Sequence, residues 1–358
     1  MIRKCLVVGI ILLFIGVTIT PAIAQNTEKS QSISRGNWLY VGGSGPGNYT
    51  RIQDAVDNAS DGDVIFVYND SSPYRENLMI GKSIYLLGEQ KETTVIRGRN
   101  GTYDFLIHVQ GVTGVAIDGF TLISNTSIGG IMAGDSPGLI ISNNVLDHPA
   151  SSGIDIQFCD NSIITNNIIN DKEAFGMFLR ESDNCRIDHN IIRHCYGDRY
   201  DQGYGMYIDT VAGCTFSNNT LLNNSRYGLY MQFSNHNLLF RNDFENNNEQ
   251  SLFLFDSGSN RIIQNNFIKN NDDIFFVTAF FNRWDANCWG KPYVLKFIKG
   301  DFITDNGIIP VPHSIFKIDW HPAQEPYEIG GTSRRNGWRW ESFCLITNHF
   351  CSEQHLNI

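Results

Sequence analysis

The stretch GIDIQFCDNSIITNNII at residues 153–169 returns as GMFLRESDNCRIDHNII at 176–192 and as GMYIDTVAGCTFSNNTL at 205–221. Related segments start at Gly130, Gly228 and Ser251, so successive starts lie 23, 23, 29, 23 and 23 residues apart. The outlier equals the common interval plus a six-residue insertion, Gly197 to Gln202. A weaker copy, VAIDGFTL, occupies 115–122. A unit of about 23 residues cannot bury an apolar face alone, so its copies must stack into a solenoid.

Each unit reads as two or three short strands. After the leading Gly, apolar residues alternate: Ile154/Ile156, Met177/Leu179, Met206/Ile208, Leu229/Met231 and Leu252/Leu254 share one phase. Asp155/Gln157, Phe178/Arg180, Tyr207/Asp209, Tyr230/Gln232 and Phe253/Phe255 share the other. A second inward column is expected at Ile141, Ile164, Ile187, Phe216, Leu239 and Ile262. Helical repeats would need Ala and Leu at 3.6-residue spacing, and a leucine-rich repeat its own Leu spacing; both patterns are missing.

This organisation accounts for the composition. The 358 residues include 42 Ile and 37 Asn, although Asn is a poor strand and helix former. Asn144, Asn167, Asn190, Asn219, Asn242 and Asn266 are read as one corner position in successive coils. There Asn tolerates left-handed backbone angles, and stacked amides donate to and accept from one another. Charged residues make up only 18%, as expected where like charges would stack about 5 Å apart. A net charge of −10 with no Lys/Arg cluster argues against a nucleic-acid partner.

Residues 1–24 have the layout of a signal peptide: Arg3 and Lys4, an apolar run from Cys5 to Ile19, then Ala22-Ile23-Ala24. The alternative is an uncleaved anchor, the one expected route to a membrane. Cleavage leaves 25 basic against 37 acidic residues and seven cysteines, whose spacing fits neither a zinc site nor a compact disulfide framework. Sequons start at Asn48, Asn58, Asn69, Asn100, Asn125, Asn218 and Asn223, as suits an exported glycoprotein. The expected location is therefore secreted or cell-surface.

The Gly-led coils with NN corners resemble the parallel β-helix repeats of the pectin-lyase-like superfold, in particular the NosD-like group of exported archaeal proteins. The segment GSGPGNYTRIQDAVDNASDGDVIFV resembles that group's N-terminal cap. Its Thr50 and Gln53 match a capping box, and Ile52, Ala55, Val56 and Ala59 form one apolar helical face. The resemblance implies an all-β, right-handed parallel β-helix solenoid. The division is a cap with first coils at 38–105, repeats at 106–274 and a C-terminal cap at 275–329. Trp284, Trp289 and Trp320 in that last segment make the cap Trp-rich. Residues 330–358 are aperiodic and basic, an irregular tail.

The candidate site is the outward strand face beside the insertion. Phe178, Tyr207, Tyr230 and Phe253 form an aromatic column, Arg180, Asp209 and Gln232 a polar one, with Arg199 on the inserted wall. Aromatic faces stack on sugar rings and polar neighbours hydrogen-bond hydroxyls. The substrate-binding set is therefore Phe178, Tyr207, Tyr230, Gln232 and Arg199. The alternative is stacking that serves the sheet alone.

Lyases of the superfold imply an Arg or Lys base and carboxylates for calcium, which points to Arg180, Asp209 and Asp155; a hydrolase needs two carboxylates, nominally Asp155 and Asp209. Polygalacturonase-like signatures and the DPHD motif of mannuronan epimerases are missing. The NosD resemblance raises copper, but Met177, Met206 and Met231 lie in the inward phase, where Met fills core gaps. No cofactor is expected for a binding module. Cys185 and Cys214 share a phase in adjacent coils, compatible with a disulfide or with two packed thiols. Three functions follow in order: a non-catalytic carbohydrate-binding or envelope-assembly module, with an extended polysaccharide or an envelope protein as partner; a polysaccharide lyase, hydrolase or epimerase; a copper-related accessory protein.

Overall fold

The computed structural model describes residues 36–99, 104–124, 128–149, 151–170, 175–197, 203–305 and 310–329, without the side chains of 272–273, 304–305 and 310–312. The signal-peptide segment, the tail from 330 and Arg199 lie outside these residues. The fold is a right-handed parallel β-helix. Each coil gives one strand to each of three sheets, as in Ser152–Gln157, Ile163–Thr165 and Ile168–Asn170. Among the described residues the first sheet has 11 strands, from Trp38–Val41 to Arg283–Asp285. The second has 9, from Tyr74–Arg75 to Asn266–Ile268. The third has 11, starting at Leu78–Ile80 and ending in the antiparallel hairpin Lys296–Asp305 and Pro310–Asp319. No helix among them is long and apolar enough to cross a membrane.

The register matches the repeat. Ile154 pairs with Met177, Met177 with Met206, Met206 with Leu229 and Leu229 with Leu252, and all are buried. The column Ile141, Ile164, Ile187, Phe216, Leu239, Ile262 is likewise buried. Parallel in-register stacking places each apolar side chain on its counterpart, so one core runs the length of the coil stack. Met177, Met206 and Met231 are part of it, with their thioethers packed inside.

The corner Asn residues form the expected ladder, with two corrections. The sixth member is Asn265, not Asn266: Asn242 donates from its amide and side chain to Asn265 Oδ1 at 2.9 and 3.0 Å. Asn266 starts the next strand and bonds the backbone of Tyr327. The left-handed angle also falls one residue earlier, at Asn143, Asn166, His189 and Asn218 (φ 52 to 57). His189 tolerates it as well as Asn does, so what selects Asn at the ladder position is its amide. The ladder continues to Asn287 and ends on Asp319, which accepts from Asn287 and from Trp289 Nε1.

The ends are closed differently from expectation. The helix Ile52–Asn58 buries Ile52, Ala55 and Val56 over the first coils, but Thr50 and Gln53 form no capping box. Glu76, one coil on, accepts from the amides of Ile52 and Gln53 at 2.8 and 3.0 Å. Lys82 donates to the carbonyls of Val56, Asp57 and Ala59 at the other end. A carboxylate at the N-terminus and an ammonium at the C-terminus satisfy orphan backbone groups and complement the helix dipole. At the far end Trp284 and Trp289 are buried, Trp289 stacking on Phe267 at 4.8 Å. Trp320 is 62% exposed and does not belong to the cap core.

Cys185 and Cys214 do stack, but the structure holds them as free buried thiols. The Cys185 amide donates to Cys214 Sγ at 3.3 Å, and Cys214's amide donates to Asn237 Oδ1 at 2.8 Å. The sulfurs thus take the place that Asn fills in later coils.

Candidate functional site

The outer face of the third sheet is built by alternation: residues between the buried ones point outward. Phe178, Tyr207, Tyr230, Phe253 and Phe275 lie in register across five adjacent strands. Their ring centroids are 5.3, 5.1, 5.1 and 5.8 Å apart, and Tyr230 and Phe253 are within 5° of parallel. All five are half-buried. The expected column exists, but it corrects the way sugars were expected to meet it. Rings stacked along the solenoid axis cover one another's faces and turn their edges outward. Among the described residues no further ring stacks on Phe275, the last aromatic of the column.

A second aromatic column, missed in the repeat, runs beside the first. Phe175, Tyr204 and Tyr227 occupy the position just before the Gly that opens each unit, with centroids 5.3 and 5.1 Å apart. Arg226 lies over the rings of Tyr204 and Tyr227, donates to the Tyr204 hydroxyl at 2.8 Å and pairs with Glu249 at 3.0 Å. The three aromatics were legible as a run at constant phase; starting each unit at Gly placed them at the end of the preceding copy.

Past these columns lies a cavity of about 440 Å³, lined by Tyr227, Glu249, Gln250, Phe253, Ile274, Phe275 and Lys299. Lys299 comes from the hairpin: Gly300 pairs with Phe276, which sets Lys299 beside Phe275. Gln250 Oε1 is buried with no hydrogen-bond partner among the described residues. Such an acceptor is costly to leave unmet. Neither Gln250 nor Lys299 was singled out from sequence.

The residues named for catalysis do not converge on one point. Arg180 lies 3.3 Å from Glu181 and 3.7 Å from Asp209, an ion-paired group across adjacent coils. Asp155 stands apart and accepts from Gln157 at 2.9 Å. Burial raises its carboxyl above the usual range, and the Gln157 bond offsets part of that. Asp155 and Asp209 are two coils and two strand positions apart, roughly 12 Å between Cα atoms by strand geometry. That gives no support to a hydrolytic pair, whose carboxyl groups sit about 5 to 9.5 Å apart. Gln232 follows Asp209 in register and is half-buried.

The tyrosines carry a pH signature. Burial, reinforced by Tyr230 and Asp209, pushes the Tyr207 phenol up to about 12. Burial raises Tyr230 and Tyr227 as well, Glu249 adding to the latter. A raised folded-state pKa means the folded chain holds its protons longer, so this stability is complete below about pH 10, the unfolded value, and is lost as pH climbs toward 12. Thermal midpoints should therefore stay level to about pH 9.5 and fall between 10 and 12, together with tyrosinate absorbance at about 295 nm. Normal titration near pH 10 without loss of stability would contradict the buried stack.

Residues 105–268 match the family model described as right handed beta helix region. No curated protein matched the sequence. Among solved structures, the Dettilon tailspike protein superposes with a TM-score of 0.55 at 13% identity, over 70% of this chain and 54% of the tailspike. The chain thus spans about half of that protein's length. The A-modules of the Azotobacter vinelandii mannuronan C-5 epimerases AlgE4 and AlgE6 give TM-scores of 0.55 and 0.53 at 17% and 13% identity. Each covers 67% of this chain, and 74% and 71% of the module. At these identities the likeness is one of fold.

Proposed function

We propose that this chain is an exported, cell-surface β-helix protein that binds an extended glycan along the outer face of its third sheet and does not cleave it. The observation that carries the reading is the cavity at the end of the aromatic column, where Tyr227, Phe253 and Phe275 meet Glu249, Gln250 and Lys299. Its size suits a small-molecule or sugar site, and mixed aromatic and polar walls are what such sites use. The edge-on tyrosines below it offer hydroxyls to a chain lying along the face. The mannuronan C-5 epimerase A-module, which shares the fold and is named for a polysaccharide, supports a glycan as the partner.

Catalysis by Arg180 is the second reading. The Arg180 guanidinium faces two carboxylates, so the arrangement suits a structural ion pair better than a base. Calcium at the carboxylates belongs only to that reading. An envelope-protein partner remains the alternative occupant of the face. Copper delivery draws no support from the three buried methionines.

Glycan-array binding by the full chain, followed by chromatography of each ligand, tests the proposal. Saturable binding with unchanged ligand is expected, and Phe275→Ala should weaken it about tenfold, the worth of one stacking contact near 1.4 kcal/mol. A shortened, unsaturated or epimerised product that vanishes in Arg180→Ala and Asp209→Ala would establish the catalytic reading instead. Absence of any binding glycan would leave the envelope-protein partner.

A further inference from the structure

We infer that the outer face of the first sheet rests on a lipid bilayer over its first six strands, where a charge-free aromatic and aliphatic strip begins just after the apolar N-terminal run. Two outward columns build the strip. One runs in register as Trp38, Val64, Tyr85, Ala116, Ile140 and Ile163. The other is Tyr40, Phe66 and Leu87 on the first three strands. Trp38, Tyr85, Tyr40 and Ile140 are 53, 43, 38 and 36% exposed. The coil does not require this composition, because the same columns change further along. The first continues as Arg186 and the second as Asp118. From there Arg186 pairs with Asp188 at 3.4 Å and Arg283 with Asp285 at 2.9 Å. Later coils thus solvate with ion pairs the positions that the first coils fill with carbon.

Size, composition and position in the chain choose the bilayer as occupant. The strip is about 24 Å long, five strand spacings, and about 12 Å wide. That is on the order of 300 Å², well short of the ~800 Å² per partner that a stable protein interface buries. Its rings gather on the first strands, where Trp and Tyr set an apolar body and a polar tip at the headgroup boundary. A glycan needs polar groups beside the rings, and here the indole and two phenols are the side-chain polar groups of the strip. Residues 20–37, eighteen in all, join the apolar run Cys5–Ile19 to Trp38, a tether of at most about 60 Å. This takes residues 1–24 as an anchor that stays on the exported chain. Such a tether holds the strip at high local concentration beside the bilayer, so a modest interfacial affinity suffices.

Reconstitution of the full chain into phosphatidylcholine vesicles, with and without brominated acyl chains, tests this through tryptophan emission. Bromine quenches rings that reach the acyl boundary. Brominated vesicles are expected to remove emission from the wild-type chain that they do not remove from Trp38→Phe. The double variant Tyr85→Asp/Ile140→Asp keeps the anchor and Trp38 but puts carboxylates against hydrocarbon, and should reduce that quenching at least about threefold. Tyr85→Ser/Ile140→Ser should reduce it in the same direction, and an unchanged thermal midpoint in each variant is the check on folding. Equal quenching of wild type and Trp38→Phe would overturn the inference. Quenching that survives both double variants would also overturn it, since Trp38 would then meet lipid through its tether alone. Cross-linked dimers in the vesicles that vanish in the double variants, with no Trp38 quenching, would give the strip to a second copy instead.

Discussion

Asn219→Ala should destabilise the solenoid by roughly 3 to 5 kcal/mol, while Asn218→Ala, one residue away, should cost about 1 kcal/mol. The two side chains look interchangeable in the sequence but do different work. Asn219 is fully buried and its side chain makes four hydrogen bonds. Its Oδ1 accepts from the backbone and side-chain amides of Asn190 at 3.0 and 3.1 Å. Its Nδ2 donates to the Ile187 carbonyl at 2.8 Å and to Asn242 Oδ1 at 3.0 Å. Truncation orphans the Asn190 backbone amide in the interior, worth about 1 to 3 kcal/mol, takes the second donor from the Ile187 carbonyl, breaks the side-chain ladder and opens a small cavity between coils. Asn218 is half-buried and matters for its φ of 52°, where Ala is disfavoured by about 1 to 2 kcal/mol and Asn less so. Urea denaturation followed by far-UV circular dichroism gives both values. Hydrogen exchange at Asn190 should rise in Asn219→Ala alone. Equal losses in the two variants would mean that corner conformation, not the amide ladder, holds the coils together.

That contrast also shows which features the sequence could reveal. Spacing and alternation identified the inward columns residue by residue, because a stacked coil has no freedom to change phase without exposing Ile or burying Asp. The ladder was legible up to its last member, where both letters of NN fit and only the hydrogen bonds separate Asn265 from Asn266. The helix cap was misread because capping boxes are local, whereas Glu76 reaches Ile52 from 24 residues away. A long-range cap leaves no signature at fixed spacing.

The site was legible in part for a similar reason. The repeat exposed Phe178, Tyr207 and Tyr230 as outward residues, but alternation gives the direction of a side chain and not the tilt of its ring. Whether the aromatic faces were free was set by the ~4.8 Å strand spacing, which lets neighbouring rings stack on each other. Lys299 enters from the antiparallel hairpin, beyond the last repeat, and only the pairing of Gly300 with Phe276 brings it to the face.

The leading glycines supply the second large effect. Gly205→Ala should cost at least about 3 kcal/mol, and Gly111→Ala only about 1 kcal/mol, although Gly111 is the residue with a left-handed φ of 64°. Around Gly111 there is open space, so its cost is conformational. Gly205 needs no unusual angle; its difficulty is proximity. An added Cβ would lie 2.5 Å from the Gly228 carbonyl oxygen, 2.7 Å from Asn224 Nδ2 and 3.1 Å from Leu221 Cδ2. The first contact repeats along the stack: Gly130, Gly153, Gly176 and Gly228 would meet the next coil's carbonyl oxygen at 2.2 to 2.7 Å. Backbone held by parallel pairing on both sides cannot yield as a side chain can, so the overpacking cost should reach the upper part of its usual range. Relief requires the strand Tyr204–Asp209 to shift, and Tyr204 and Tyr207 ride on that strand. The near-UV circular dichroism of the tyrosine stack should therefore weaken in Gly205→Ala under native conditions and stay unchanged in Gly111→Ala. A stable Gly205→Ala with an intact aromatic signal would show that the coils can move apart, and would remove close approach as the reason five of the six units begin with glycine.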